Sequence, residues 1–384
     1  MRKLKMGMIG GGKNAFIGAI HRIAANMDGL IELHCGAFSS NPEASIESGR
    51  DLFLPESKCY GSYKEMLVTE SKLSLGERMD FVSIVTPNFA HFAPAMMALE
   101  YGFNVMIDKP MTLSLDEAKQ LQKKVKEKGL ILCLSHTYSG YPMVKQARKI
   151  VAENQLGKIR KVMVEYPQGW LSTLTEKDGN KQAVWRTDPE KSGISGCMGD
   201  IGTHAAQLAE YISGLQITQL CADINIVVAG RKLDDDGNVL LKFNNGANGI
   251  LVASQIASGE ENSLKIKIYG EKGGLEWHQM EPNTLLIKWP DAPSQIYRAG
   301  NSYLSDSAQF NSRTPSGHPE GYLEAFANLY KNFALTLSAK LEGKEPTEQM
   351  LDFPTAEDGV RGMAFIENVI ASGESDQKWF EFKI

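Results

Sequence analysis

Residues 5–15 of the chain are KMGMIGGGKNA, an apolar run that ends in three consecutive glycines. The run predicts a first β-strand, and a helix is expected to follow the glycines. A phosphate bound at such a junction meets free backbone N–H groups and the positive end of the helix dipole. Gly10 and Gly12 allow the tight turn and the close approach of a pyrophosphate. We therefore expect this turn, with Lys13 and Asn14, to bind a dinucleotide, although a purely structural glycine turn is the alternative.

The first third of the chain alternates short apolar runs with helical patterns. Because these runs lack a polar face, they indicate strands that are buried on both sides, as in a parallel sheet. Right-handed crossovers make such a sheet doubly wound, with an α/β fold of the Rossmann type. The predicted strands lie at 5–10, 31–38, 80–87, 104–108 and 130–135.

After about residue 137 the pattern changes to alternating apolar and polar residues, which is typical of antiparallel strands with one exposed face. A large open sheet of this kind predicts a homo-oligomer, a dimer or a tetramer, unless helices of the same chain cover it. We expect a dinucleotide-binding domain at 1–136 and a substrate-binding and oligomerisation α/β domain at 137–384. Predicted strands lie at 159–166, 240–243 and 264–270, and an amphipathic helix at 322–337.

Composition excludes several classes of partner. The net charge is −5 and no long basic block occurs, so nucleic acid is not expected. No apolar run is long enough to span a bilayer, and the N-terminus predicts a strand rather than a signal peptide. Five cysteines without a CxxC pair predict reduced thiols in a cytoplasmic protein and no metal site.

Two details of the predicted dinucleotide site stay open. The third small residue of the fingerprint is either Ala15 or Gly18. An acidic residue at the end of the second strand would bind the ribose 2′-hydroxyl and disfavour a 2′-phosphate. Ser39 and Ser40 occupy that place, and a hydroxyl binds either group. The cofactor is therefore NAD or NADP, and a simple helix cap is the other role for these serines.

Two further segments follow buried strands and therefore lie at the edge of the sheet that faces the ligand crevice. The first is Thr86, Pro87 and Asn88, with His91 one turn later; His91 is alternatively a helix residue with satisfied hydrogen bonds. The second contains Lys109, whose ammonium would stabilise developing charge on a substrate oxygen. A surface lysine is the alternative.

Residues 196–204 are GCMGDIGTH, which places Asp200 and His204 four apart after a glycine-rich stretch. On a helix these side chains share one face. A carboxylate beside an imidazole orients and charges a proton-transfer group. An ordinary first helical turn with a buried histidine is the alternative.

Together these motifs resemble the Gfo/Idh/MocA oxidoreductase family over nearly the whole chain, in the order GGG at 10–12, TPN at 86–88, DKP at 108–110 and GDIGTH at 199–204. The resemblance implies a Rossmann domain, an open-sheet second domain, a nicotinamide cofactor and a sugar, sugar-derivative or polyol substrate. It places the family lysine on Lys109, next to Asp108, and the carboxylate and histidine on Asp200 and His204. His204 would accept the hydroxyl proton, Asp200 would fix its tautomer or bind the substrate, and Lys109 would polarise the oxygen.

Substrate contacts are expected from several further residues. His136 and Tyr138 would border the nicotinamide, and Trp185 with Arg186 offers a stacking surface and an anion-binding fork. A structural salt bridge is the alternative role for Arg186. His318 would close the cleft or cap the long helix. Two other activities fit the resemblance, namely a glycosidase that oxidises its sugar transiently and a non-catalytic cofactor-sensing regulator. Retention of Lys109, Asp200 and His204 argues against the regulator.

Overall fold

The computed structural model describes residues 2–13 and 15–384. They form two compact units. The first unit contains the chain up to Thr112, residues 116–137 and residues 322–360; the second contains residues 113–115, 138–321 and 361–384. The chain passes from the first unit to the second after Thr137, and residues 322–360 pack with the first unit; the predicted functional domains 1–136 and 137–384 stay a prediction.

The first unit is built on a five-stranded parallel sheet of order β2-β1-β3-β4-β5. Its chain order reverses between β1 and β3, where Gly10 lies beside Val85, and a doubly wound sheet binds its ligand at such a point. The strands are β1 (Leu4–Gly10), β2 (Ile31–Ala37), β3 (Phe81–Val85), β4 (Asn104–Ile107) and β5 (Leu132–Leu134). The connecting helices are α1 (Phe16–Asn26), α2 (Pro42–Asp51), α3 (Tyr63–Ser71), α4 (Phe92–Glu100) and α5 (Leu115–Lys128).

The remaining helices begin with α6 (Pro142–Ala152), α7 (Lys181–Arg186), α8 (Pro189–Ser192), α9 (Thr203–Ser213) and α10 (Asp306–Phe310), and end with α11 (Tyr322–Leu341) and α12 (Ala356–Gly373). The amphipathic helix predicted near the C-terminus is α11, and it packs against α1 in the first unit. Its Phe333 contacts Phe81 edge to face, and its Tyr330 hydroxyl is hydrogen-bonded to Ser83 and His21. The aromatic stripe therefore completes the core of the first unit.

The second unit contains a nine-stranded sheet of order β13-β12-β11-β10-β6-β9-β8-β7-β14. Among the described strands of this sheet, only β6 and β9 pair in parallel, which confirms the predicted, mostly antiparallel sheet. Helices α6 and α9 pack on one face. The strands are β6 (Ile159–Pro167), β7 (Ile217–Asn225), β8 (Asp236–Phe243), β9 (Asn248–Ser254), β10 (Lys265–Gly270), β11 (Gly274–His278), β12 (Thr284–Lys288), β13 (Gln295–Arg298) and β14 (Phe380–Glu381).

Candidate active site

The glycine turn of the first unit is fixed by close backbone packing. Gly10 and Gly11 have φ angles of 82° and 73°, which side chains rarely tolerate. A Cβ on Gly10 would lie 2.9 Å from Cγ2 of Thr86, so the glycine turn lies directly against the segment that follows β3. A Cβ on Gly18 would lie 2.3 Å from the Cα of Gly11. Gly18 therefore fills the third small position of the fingerprint, because only glycine lets α1 approach the turn this closely.

The N-terminus of α1 suits an anionic group. Its N-cap is Ala15, which has no side-chain acceptor, whereas Asn41 and Ser62 cap α2 and α3 with their side chains. The backbone N–H groups of an uncapped helix start are the usual partners of a phosphate. Asn14, predicted to bind the cofactor, lies outside the described residues.

The turn after β2 lies directly against the glycine turn. The N–H of Gly12 donates to the carbonyl of Phe38 at 3.2 Å, and the N–H of Lys13 donates to the Ser48 hydroxyl at 3.2 Å. Ser39 accepts a hydrogen bond from the N–H of Asn41 at 3.1 Å, and Ser40 is exposed. The cap of α2 is Asn41 and neither serine, so the structure leaves a ligand role for both serines open.

Lys13, the cation of the glycine turn, forms ion pairs with two acidic side chains of α2. Lys13 Nζ lies 3.4 Å from a Glu47 oxygen and 3.6 Å from an Asp51 oxygen. Hydrogen bonding to Glu47, with its charge and that of Asp51, raises the pKa of Lys13.

His91 connects the two edge segments that follow β3 and β4. Its Nδ1 lies 2.8 Å from the carbonyl oxygen of Pro110, and its Nε2 lies 2.8 Å from that of Thr86. Burial lowers the pKa of His91, while Asp108 and the two carbonyls act in the opposite direction. Both ring nitrogens are thus occupied by backbone, and His91 positions the segments that carry Pro87, Asn88 and Lys109.

Asp108 is the charged centre of this edge. It accepts a hydrogen bond from Ser135 Oγ at 2.5 Å and another from the Lys109 N–H at 2.9 Å. Burial alone would raise the pKa of Asp108, but His21, the hydrogen bond from Ser135 and the charge of Lys109 hold it below its ordinary value. Burial, with Lys109, lowers the pKa of His136 to about 3. Asp108 is thus a carboxylate and His136 a neutral imidazole at neutral pH. We call the glycine turn with Thr86, Asp108, Lys109 and His136 the first-unit cluster.

In the second unit, Asp200 lies on a single π-helical turn, Met198–Gly202, that leads into α9. One of its carboxylate oxygens accepts a hydrogen bond from Gln255 Nε2 at 2.9 Å and lies 3.3 Å from Arg186 Nε. The Arg186 guanidinium stacks on Trp185 at 4.2 Å and lies 5.9 Å from the Trp170 ring. Arg186, predicted as an anion-binding fork, is thus partnered by Asp200 within the chain.

His204 opens α9 and is only 8% exposed. Its ring lies edge to face on Tyr138 at 4.9 Å and at 6.4 Å from Tyr166. The two tyrosine hydroxyls are hydrogen-bonded to each other, and Asn262 binds both. Burial, together with the charge of Asp200, raises the pKa of Tyr138, so this hydroxyl stays protonated. We call Tyr138, Tyr166, Arg186, Asp200, His204 and Asn262 the second-unit cluster.

The sequence singled out some members of these clusters and missed others. His318 lies in an exposed turn, where its backbone binds Pro315 and Thr314, and its predicted role in the cleft stays a prediction. Sequence reasoning missed Tyr166, Gln255 and Asn262. Only Tyr166 left a signal, as an inward-facing aromatic of an alternating strand.

Comparison with known proteins defines the family. Residues 4–136 match the model described as an oxidoreductase family with an NAD-binding Rossmann fold, and residues 144–276 match the GFO/IDH/MocA C-terminal domain. The structure of an oxidoreductase from Sinorhizobium meliloti is 42% identical, covers 99% of both chains and has a TM-score of 0.89. The chain belongs to the Gfo/Idh/MocA oxidoreductase family. The predicted family, fold class and NAD-binding oxidoreductase activity are thereby confirmed.

Two other relatives of this Gfo/Idh/MocA protein carry informative names. The structure of an inositol dehydrogenase homolog from Azotobacter vinelandii, complexed with NADH and myo-inositol, is 30% identical, has a TM-score of 0.90 and covers 99% of this chain and 98% of its own. Levoglucosan dehydrogenase of Pseudarthrobacter phenanthrenivorans is 26% identical over 78% of this chain and 79% of its own. Within residues 2–13 and 15–384, every helix is too short or too polar to cross a bilayer.

Proposed function

We propose that this oxidoreductase is an NAD- or NADP-dependent dehydrogenase that oxidises a secondary hydroxyl of a sugar, sugar derivative or cyclitol. The observation that carries the proposal is the buried His204, which is 8% exposed, packs edge to face on Tyr138 and lies one helical turn after Asp200, among tyrosine and asparagine groups that suit a polyhydroxylated ligand. The names of the inositol and levoglucosan relatives point to the same substrate class.

In the proposed reaction, His204 removes the proton of the substrate hydroxyl. Its ordinary pKa lies near neutral pH, which suits a general base. Asp200 stabilises the charged imidazole that results, and Arg186 and Gln255 hold Asp200 in one orientation. Lys109 polarises the substrate oxygen as it becomes a carbonyl. The bound nicotinamide supplies the chemistry of hydride acceptance from the same carbon.

The remaining predicted contacts belong to the same proposal. Gly10, Gly12 and Gly18 let the pyrophosphate approach the start of α1, where the uncapped N–H groups face it. His136 and Tyr138 would border the nicotinamide, and Trp185 would contact the sugar, since an aromatic ring packs against its apolar C–H face.

Two finer statements accompany this proposal. The five cysteines are free thiols, which supports a cytoplasmic location.

The face of the large sheet opposite α6 and α9 leaves Met163 38% exposed and Leu240 43% exposed, which supports a homo-oligomer with a second copy on that face. Light scattering on the protein and on a Met163→Glu, Leu240→Glu variant tests it; a wild-type monomer would contradict it.

A substrate screen tests the activity. Purified protein is mixed with myo-inositol, levoglucosan or simple hexoses, with NAD and NADP in parallel, while the absorbance of reduced cofactor is followed. We expect reduction with at least one compound, and loss of it in a Lys109→Ala variant. Product formed without net reduction would favour a transient-oxidation glycosidase. Cofactor binding without turnover of any compound, together with full biological activity of Lys109→Ala, would favour a regulator.

A further inference from the structure

Asp234 binds the backbone immediately before the turn that carries Asp200. It lies just before β8 and is 6% exposed. One carboxylate oxygen accepts the N–H of Gly196 and the other accepts the N–H of Met198, each at 2.7 Å. The carbonyl oxygen of Asp234 accepts the N–H of Cys197 at 2.8 Å. Three successive amide groups are therefore held by one residue.

The backbones around Asp234 and Gly196 pack too closely to leave room for a side chain at position 196. A Cβ on Gly196 would lie 2.4 Å from the carbonyl oxygen of Asp234, so the two segments touch along their backbones. The Gly196 carbonyl in turn accepts the N–H of Asp200 at 2.8 Å. One chain of hydrogen bonds thus runs from the Asp234 carboxylate through Gly196 to the backbone of Asp200.

Cys197, the N-cap of the π-helical turn, makes no capping bond, and the Ser195 hydroxyl accepts only the N–H of Gly199, at 2.9 Å. A carboxylate that accepts N–H groups at a helix start stabilises it through hydrogen bonds and the helix dipole. Asp234 supplies that carboxylate from a distant segment of the chain. Burial raises the pKa of Asp234, and the amides of Met198 and Gly196 oppose this effect.

We infer that Asp234 is a positioning residue: by capping the turn Met198–Gly202 it sets the orientation of Asp200 and His204 for proton removal. The inference rests on the proposed function above. It makes Asp234 part of the machinery without contact to substrate or cofactor.

The next residue provides a matched control. Asp235 is 1% exposed, and its carboxylate accepts the N–H groups of Val227 and Val228 at 2.8 and 2.9 Å. It is therefore similarly buried and also accepts two backbone N–H groups, but it holds a different loop, and one of its oxygens also pairs with Arg231 at 3.3 Å. An asparagine at either position leaves one amide N–H facing another donor, which costs stability in both variants.

The experiment compares Asp234→Asn with Asp235→Asn on whichever polyol of the panel the wild-type protein oxidises. We expect Asp234→Asn to lower kcat by about tenfold or more, since a displacement near 1 Å has a large effect on rate. The dissociation constant of NAD should stay within about twofold of wild type. Asp235→Asn should keep kcat within about twofold while losing similar thermal stability.

A second readout does not depend on turnover. The pH titration of His204, followed by NMR of histidine-labelled protein and assigned with His204→Ala, should move in Asp234→Asn and stay in place in Asp235→Asn. If no panel compound is oxidised, the proposed function fails and this titration alone decides the positioning role. Equal effects of the two variants on kcat or on the titration would overturn the inference.

Discussion

The first-unit cluster is held mainly by backbone, and the second-unit cluster mainly by side chains. In the first, Gly18 packs on Gly11, and His91 binds two carbonyl oxygens that follow neighbouring strands. In the second, Asp200 is bound by Arg186 and Gln255, side chains from separate segments. The first arrangement follows from the edge of one parallel sheet, whereas the second requires several segments to place their side chains independently.

This difference predicts how each cluster fails. The first-unit cluster, which backbone contacts hold, should tolerate most side-chain substitutions except at glycines that permit close approach. A substitution that disrupts it should weaken cofactor binding. The second-unit cluster, which side chains hold, should lose its geometry when any one of these side chains is removed. A substitution that disrupts it should lower kcat. Each experiment below asks whether affinity and turnover separate in this way.

The largest effect is expected for His204→Ala. Removal of a general base lowers kcat by about 10²- to 10⁴-fold, because the hydroxyl proton then has no positioned acceptor. The dissociation constant of NAD, measured by calorimetry, should hardly change, since the glycine turn is intact. Comparable losses of turnover and cofactor affinity would count against His204 as the proton acceptor and against the separation of the two clusters.

The same difference explains what the sequence reveals. The glycine turn, TPN and DKP each follow a predicted strand, and neighbouring parallel strands end at the same edge, so local pattern was enough to group them. Asp200 and His204 were recognised from their spacing and the family resemblance. Gln255 and Asn262 come from a connection with no pattern of its own, so only tertiary packing brings them to Asp200 and Tyr138. The assignment of α11 to the first unit likewise depends on Tyr330 meeting His21 and Ser83, a contact between distant segments.

The second prediction concerns the stability of the protein at acidic pH. Burial lowers the pKa of His21 to about 4. Between about pH 6.5 and 4 the unfolded chain binds a proton that the folded chain does not, so the free energy of unfolding falls as the pH falls. The loss is at most about 3 kcal/mol for this group. His136 adds to it in the same direction.

His21→Gln should therefore show a smaller loss of thermal stability on acidification than the wild-type protein does. The measurement is the thermal midpoint of both proteins across that pH range. Asp234 provides a contrast in the second unit, because a raised carboxyl pKa makes its contribution to stability more favourable as the pH falls. An unchanged pH dependence in His21→Gln would mean that other groups cause the acid sensitivity.

The third prediction tests the close approach of α1 to the glycine turn. Gly18→Ala places a Cβ against the backbone of Gly11, which should cost about 1–3 kcal/mol of stability and weaken NAD binding about tenfold. Gly76→Ala is the control, because nothing lies within 4 Å of its added Cβ. Calorimetry and thermal melts measure both quantities. A Gly18→Ala protein with wild-type affinity would show that the turn does not depend on this contact.

The smallest effect concerns the choice between NAD and NADP. Glu47 and Asp51 hold the ammonium of Lys13, and no arginine adjoins Ser39 or Ser40 in the sequence, so we expect the wild-type protein to prefer NAD. The Glu47→Gln, Asp51→Asn variant releases Lys13 toward the turn after β2, where the N–H of the preceding Gly12 already binds the carbonyl of Phe38. The ratio of kcat/KM for NADP to that for NAD should rise by about two- to fivefold, because exposed ion pairs are weak and the gain from a freed cation is similarly small. Adding Lys13→Met to this variant should abolish the gain. If the ratio is the same with and without Lys13, side chains outside the glycine turn select the cofactor. The function of the first-unit cluster would then also depend on side chains and not mainly on backbone.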